Sequence, residues 1–381
     1  MQFRDLKAQY HHLKEEIDQG IQEVLESSAF ILGKPVGQLE KELAEYAGVS
    51  HCVACGNGTD ALQLVLMAWG IGKGDAVFTS DFTYFASAGT SSIVGATPVF
   101  VDIDLSTFNM SPVHLEEQIQ KVLAEGKLTP KVIVPVDLFG QPADYDAILP
   151  IAEKYGLKVL CDGAQGFGGA IRGKRVGSFG DASTTSFFPA KPLGCYGDGG
   201  AIFTNSEEMD QLLRSLRVQG RSPEDKYDNR AIGMNSRLDT LQAAILLPKL
   251  HAFAEKEVDE VNRVAASYTE KLKSLVITPT VKEGFLSSWA QYTIRLENEE
   301  VRNALRDYLK EKGIPSMVYY PRGLHSQSAY KEFGLSDEDF PNTVLATKTV
   351  LSLPMHPYLA EEDIIKVCDT ITEFFKTYKE R

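Results

Sequence analysis

The sequence predicts an α/β protein: a large, mostly parallel sheet covered by helices on both faces, followed by a smaller α+β domain. Three observations lead there. Between about residues 51 and 205, short β-rich runs alternate with segments of helical apolar spacing. Such alternation needs long crossovers, and crossovers make neighbouring strands parallel. After about residue 247 the alternation stops, and a long helical stretch leads into a few short elements. The chain has 381 residues, too many for one simple core, so residues 1–247 are expected as a large domain and 248–381 as a small one.

Taken in order, apolar residues recur at helical spacing over about 10–27 and 37–47. Strands are predicted at 51–55, 76–80, 98–101, 131–134 and 158–161, with helices at 59–69, 84–94, 111–123 and 145–155 between them. Runs 182–187 and 200–204 complete a seven-stranded sheet. Pro248 marks the expected boundary. Beyond it the reading is a helix over 250–272, a strand over 291–296, a helix over 300–312, a short strand over 316–320 and a terminal helix over 361–378.

Composition narrows the function. Apolar residues make up 43% and charged residues 24%, with a formal net charge of −13. A nucleic-acid partner needs a basic face, and no basic run of the required length is present. No apolar stretch is long enough to span a bilayer, and the polar start Met-Gln-Phe-Arg-Asp-Leu-Lys does not resemble a signal peptide. A cytoplasmic protein with small-molecule partners is expected. Cys52 and Cys55 form a C-x-x-C, but inside His-Cys-Val-Ala-Cys, which reads as a buried strand and argues against a redox or metal role.

In a parallel α/β sheet, ligands sit at the carboxyl ends of the strands, and four ends carry informative residues. After 51–55 comes Gly56-Asn57-Gly58-Thr59-Asp60, a glycine turn opening a helix whose free N–H groups suit a phosphate; the alternative is a plain cap by Asn57 or Thr59. After 76–80 comes Asp81-Phe82-Thr83-Tyr84, where Tyr84 could stack on a flat ring or be a core aromatic. After 158–161 comes Asp162-Gly163-Ala164-Gln165. A carboxylate there is costly without a partner, and a protonated pyridine nitrogen would be one; a helix cap is the alternative. After 182–187, Lys191 lies in Phe-Phe-Pro-Ala-Lys-Pro-Leu-Gly, apolar and proline-fenced. Desolvation lowers a lysine's pKa and makes its amine nucleophilic.

A phosphate turn, a stacking aromatic, a strand-end Asp and a Ser-x4-Lys, in that chain order, are the parts of a fold-type I pyridoxal-phosphate (PLP) site. Over nearly its whole length the chain resembles the DegT/DnrJ/StrS sugar aminotransferases. The resemblance is carried by Phe3-Arg4-Asp5-Leu6, by Gly58-Thr59-Asp60-Ala61-Leu62, by residues 96–104 and by Asp162-Gly163-Ala164-Gln165. The lysine segment and Asn235-Ser236-Arg237-Leu238-Asp239 complete it. It implies that Lys191 holds the cofactor covalently and carries the proton, and that Asp162 pairs with the pyridine nitrogen. Gln165 falls beside the ring hydroxyl and Tyr84 on the ring face. Gly58, Thr59, Asp60 and Ser186 form the phosphate site, and Asn235 joins it from the partner subunit of a homodimer.

The resemblance also implies transamination, with pyridoxamine phosphate as the aminated cofactor, L-glutamate as donor and a keto nucleotide sugar as acceptor. The lysine and Asn-Ser-Arg segments look most like the subgroup that aminates C3 of UDP-2-acetamido-2-deoxy-3-oxo-glucuronate, an O-antigen precursor. Arg237 would suit the uronate carboxylate or hold an interface loop; Tyr319 and Tyr320 are further substrate candidates, and His325 reads as structural. Two other readings stay open: a 4-aminotransferase for a 4-keto-6-deoxy nucleotide sugar, and a regulator that keeps the fold without the chemistry.

Overall fold

The computed structural model describes residues 1–225 and 227–378. Strands β1 (His51–Cys55), β2 (Asp75–Ser80), β3 (Thr97–Val101), β4 (Thr129–Val134) and β5 (Lys158–Asp162) follow one another with helices between. A small hairpin of β6 (Ala170–Ile171) and β7 (Lys174–Arg175) precedes β8 (Ala182–Ser186) and β9 (Gly200–Thr204). The main sheet has the order β1-β9-β8-β5-β4-β2-β3. β9 runs antiparallel to both of its neighbours, and the other pairings are parallel.

Helices cover both faces. α1 (Leu6–His12), α2 (Lys14–Ser27) and α3 (Lys34–Ala47) precede the sheet; α4 (Gly58–Ala68), α5 (Ala86–Ile93), α6 (Pro112–Glu125) and α7 (Tyr145–Tyr155) connect its strands; α8 (Glu207–Leu216) follows it. The alternation of side chains along β1 shows how the layers form. Val53 and Cys55 pack with Leu62 and Val65 of α4, while Cys52 and Ala54 pack with Leu39 and Leu43 of α3. A strand sends residues three apart to opposite faces, so the C-x-x-C thiols cannot meet. Burial pushes the Cys52 thiol up well above its usual range and that of Cys55 up to about 12. Local signals set helix ends as the residue types demand: Ser111 caps α6 by accepting from His114 N at 3.3 Å, Pro112 opens the helix, and Gly126 (φ 63°) closes it.

Pro248 does not end a helix. α9 (Thr240–Ala252) runs through it into a π-helical turn (Phe253–Glu257) and α10 (Val258–Leu272). Proline costs α9 the bond to the Ala244 carbonyl. Gly20 of α2 packs beside that carbonyl so closely that a Cβ would come within 3.3 Å of it. Leu250, Phe253 and Val258 belong to the core under β1 and β9, whereas Val261 and Val264 belong to a second core. That second core is built with β11 (Tyr292–Arg295), α11 (Glu299–Glu311), β12 (Val350–Leu353) and α13 (Glu361–Tyr378). β10 (Phe285–Leu286) pairs with β6, and α12 (Pro341–Thr349) precedes β12.

The expected strand over 316–320 is corrected. Met317 makes only an isolated bridge to Ser352, and β11 pairs instead with β12, whose four residues are all buried. Residues 318–321 turn aside and wall a cavity. α5 begins at Ala86 rather than 84, leaving Tyr84 in the loop after β2.

Candidate active site

The carboxyl ends of β1, β2, β5 and β8 open on a cavity of about 1020 Å³, closed on the other side by Gln291, residues 318–322 and Gln327. Gly58, Thr59, Asp60, Tyr84, Asp162, Gln165, Ser186, Lys191, Tyr319 and Tyr320 all line it. The sheet does this by geometry alone: parallel strands carry all their following loops to one edge.

At the phosphate turn, Asn57 is the cap of α4, its side chain accepting from Asp60 N at 2.8 Å. The cap leaves the N–H groups of Gly58 and Thr59 without a helical partner, so capping by Asn57 is compatible with an anion there. Gly58 is required by close approach: a Cβ there would come within 2.7 Å of the Ser186 Cβ. Ser236 ties the turn to the later segment, donating to Asp60 Oδ2 at 2.6 Å and accepting from Gly56 N at 3.0 Å. Its neighbours Asn235, which is exposed, and Arg237, which is partly buried, do not line this chain's own cavity.

Asp162 is buried at the tip of β5. Its Oδ2 accepts from Ser87 Oγ at 2.8 Å and its Oδ1 from Ala164 N at 3.2 Å. Burial raises its pKa, against the pull of those two bonds and of the Lys191 charge. Both bonds come from neutral donors, and a carboxylate has about four acceptor positions, so room remains for a cationic donor from the cavity. Behind it, buried Asp137 accepts from Ala143 N and Tyr145 Oη, both at 2.7 Å, and burial pushes its pKa up to about 7.

Gln165 is held at both ends of its amide. Oε1 accepts from Phe139 N at 2.9 Å and Nε2 donates to Tyr320 Oη at 3.0 Å, leaving one N–H for a ligand. Tyr84 is 59% exposed and free to lie against a flat ring. Lys191 sits in a turn closed by its own N–H on Phe188 O at 2.8 Å, and burial lowers the pKa of its amine while Asp162 opposes the shift. His325 is structural: it lies between Asp81 (Nδ1 to Oδ2, 2.6 Å) and Asp337 (Nε2 to Oδ1, 3.0 Å). Burial alone would lower its pKa; the two carboxylates outweigh that and raise it to about 9.

Three residues escaped the sequence reading. Ser87 orients Asp162 from three positions beyond Tyr84, a signal that no spacing rule picks out. Ser236 stood between two singled-out residues. Arg4 was part of a quoted motif, yet nothing local tied it to a site 187 residues away.

The arrangement fits PLP: a carboxylate without a cationic bond for the ring nitrogen, a desolvated amine for the aldehyde, and free N–H groups for the phosphate. Residues 11–372 match the family model described as the DegT/DnrJ/EryC1/StrS aminotransferase family. The chain belongs to this family. The family is PLP-dependent, and solved neighbours include cofactor-bound forms. A curated member from Pseudomonas aeruginosa, "UDP-2-acetamido-2-deoxy-3-oxo-D-glucuronate aminotransferase", is 46% identical over 98% of this chain and 99% of that one. A protein from Geobacillus stearothermophilus named "Pleiotropic regulatory protein" is 44% identical over 98% of each chain. The crystal structure of a family aminotransferase from Brucella abortus superposes with a TM-score of 0.95 at 47% identity, covering 98% of this chain and 99% of the other. The sheet and the second core are thus those of the fold-type I family.

Proposed function

We propose that the protein transfers an amino group from L-glutamate to C3 of UDP-2-acetamido-2-deoxy-3-oxo-glucuronate. On this reading it is a cytoplasmic homodimer with shared sites, and its product feeds O-antigen lipopolysaccharide. The observation that carries the reading is the single cavity that holds Lys191 and Asp162 and has the volume for a nucleotide sugar. The Pseudomonas aeruginosa relative supplies the sugar. A regulator would have no use for a desolvated lysine facing a buried carboxylate, which weighs against that reading despite the regulatory name of one relative.

PLP, when bound, supplies an electron sink for the carbon that gains or loses the amine. The chain supplies the rest. Asp162 holds positive charge at the ring nitrogen, and Ser87 and Ala164 N fix its orientation. Gln165 donates toward the ring hydroxyl, steadied by Phe139 N and Tyr320. Gly58 and Thr59 N–H groups and the Ser186 hydroxyl hold the phosphate. Lys191 moves a proton at its Nζ, and burial, which lowers the pKa of that amine, favours the base form that accepts it. Tyr319 and Tyr320 close the sugar side.

The test is turnover with two acceptors. The 3-oxo uronate should be aminated with glutamate as donor, and a 4-keto-6-deoxy nucleotide sugar should not; the reverse result overturns the substrate reading. Arginine variants then locate the carboxylate contact. Arg237 would reach the substrate from the partner subunit, and a charge-assisted bond of that kind contributes roughly 1.5–3 kcal/mol. Arg237→Ala should therefore cost the uronate about tenfold or more relative to a neutral sugar, and Arg237→Lys less, since it keeps the charge without the fork. A second reading has its own observation: Arg322 lines the cavity and Arg237 does not. If Arg322 makes the contact, Arg322→Met shows the selective loss and Arg237→Ala depresses both sugars alike.

Asn235 tests the shared site. Lys191→Ala subunits mixed with Asn235→Ala subunits under exchange conditions should regain activity, because each heterodimer then has one site with both residues intact. No gain, with exchange demonstrated, would put Asn235 to work only in its own subunit.

A further inference from the structure

The segment before α1 crosses behind the lysine turn. Arg4 Nη2 lies 2.7 Å from the carbonyl oxygen of Lys191 and 3.1 Å from that of Pro192. The turn is tight: Gly194 packs so closely over it that a Cβ would come within 2.5 Å of Pro189 O. The segment is itself pinned on three sides. Met355 N donates to Phe3 O at 3.0 Å, the Phe3 ring meets Tyr319 edge-on at 6.3 Å, and Asp5 caps α1 by accepting from Ala8 N at 2.8 Å. Among the described residues, no carboxylate forms an ion pair with Arg4. A part-buried guanidinium bound to carbonyls, with no ion-pair partner among the described residues, supplies a charge that a neutral donor holding the same loop would not.

We propose that Arg4 is a positioning residue for Lys191: it fixes the backbone of the lysine turn through two carbonyls and sets a lasting positive charge behind the amine. This inference rests on the reading of Lys191 as the reactive lysine. Fixing the carbonyl of Lys191 and that of the next residue fixes the Lys191 Cα, so only side-chain rotation swings Nζ between its positions. Misplacement of a reacting group by about 1 Å can cost on the order of a hundredfold. The charge acts in the same direction as burial, disfavouring the ammonium form.

The groups around the two cations agree with this. Facing Lys191, Asp162 favours its charged form while burial and Arg4 oppose it. Around Arg4, burial lowers its pKa to about 10 and Glu257 opposes the shift, so it stays charged at neutral pH. Lys249 and His356, on α9 and beyond β12, also feel Arg4; burial chiefly brings them to about 8 and about 4. His356 is thus neutral, and Arg4 keeps its charge throughout the neutral range.

The test uses protein loaded with pyridoxamine phosphate, which has no aldehyde and leaves the Lys191 amine free. Competitive acetylation across pH, read by mass spectrometry on the Lys191 peptide, gives the midpoint of that amine. Arg4→Gln keeps a donor and loses the charge. It should raise the midpoint by about half a pH unit, roughly the effect of losing one neighbouring charge, and lower kcat about tenfold with the glutamate KM changed less than about twofold. Arg4→Lys keeps the charge and loses the fork, so the midpoint should stay parental while kcat falls a few-fold, roughly the cost of imprecise placement. A folded Arg4→Gln protein with the parental midpoint overturns the proposal whatever its turnover, because a purely structural strap would leave the amine unchanged. Full turnover in Arg4→Lys overturns the role of the fork. Parental activity in Lys191→Ala would instead remove the reading on which the inference stands.

Discussion

Lys191→Ala is expected to lose transamination by roughly three decades or more, about 4 kcal/mol at ~1.4 kcal/mol per decade. On the proposed function Lys191 supplies both the nucleophile and the proton carrier, and among the described residues no other lysine lines the cavity. The cofactor should still bind, because Gly58, Thr59, Ser186 and Asp162 do not depend on the lysine side chain. The variant should therefore take up PLP without forming a borohydride-stable link. Truncation leaves space for a small amine, and added methylamine should restore part of the rate. The turn should survive, since its bonds run through backbone atoms: Lys191 N to Phe188 O, and the Lys191 carbonyl to Arg4. Parental turnover would refute the assignment of the reactive lysine.

Asp162→Asn is expected to cost two decades or more, about 3 kcal/mol on the same scale. The amide oxygen can go on accepting from Ala164 N while its NH2 donates to Ser87 Oγ, whose hydroxyl can accept as well as donate, so the fold should persist. What disappears is the negative charge that, on the proposed function, would keep a ring nitrogen protonated. No helix follows Asp162, so the helix-cap alternative does not hold; its side chain closes only a local turn through Ala164 N. A loss below about tenfold would leave only that turn. Ser87→Ala, which removes one orienting bond and not the charge, should cost about tenfold or less, since a single net hydrogen bond contributes about 1 kcal/mol.

The fold was legible wherever a local pattern reports on burial. β1, β4, β5, β8 and β9 are short apolar or β-branched runs between turn signals, and their predicted places agree with the sheet to within a residue or two. Crossovers then force a parallel arrangement. Failures came where the pattern was ambiguous. The run 316–320 and the run 350–353 both look like strands; only packing against β11 decides that the second pairs while the first walls the cavity. The helix expected from 250 is preceded by α9, which runs from Thr240 through Pro248; it is buried along most of its length, and tertiary packing outweighs the loss of one helical bond.

For the site, the sequence by itself determined which residues stand at the ends of strands: Asp162, Tyr84, the Gly58 turn and Lys191. Each follows a run whose direction the alternation sets, so one edge of the sheet collects them all. Tertiary structure alone decided how each is held. Ser87 on Asp162, Tyr320 and Phe139 on Gln165, Ser236 on Asp60 and Arg4 behind Lys191 are contacts between residues 75, 155, 26, 176 and 187 positions apart. No local pattern encodes such pairs. Side-chain chemistry and spacing specify which elements form, but a hydrogen bond between distant residues exists only once packing has brought its donor and acceptor within 3 Å or so of each other.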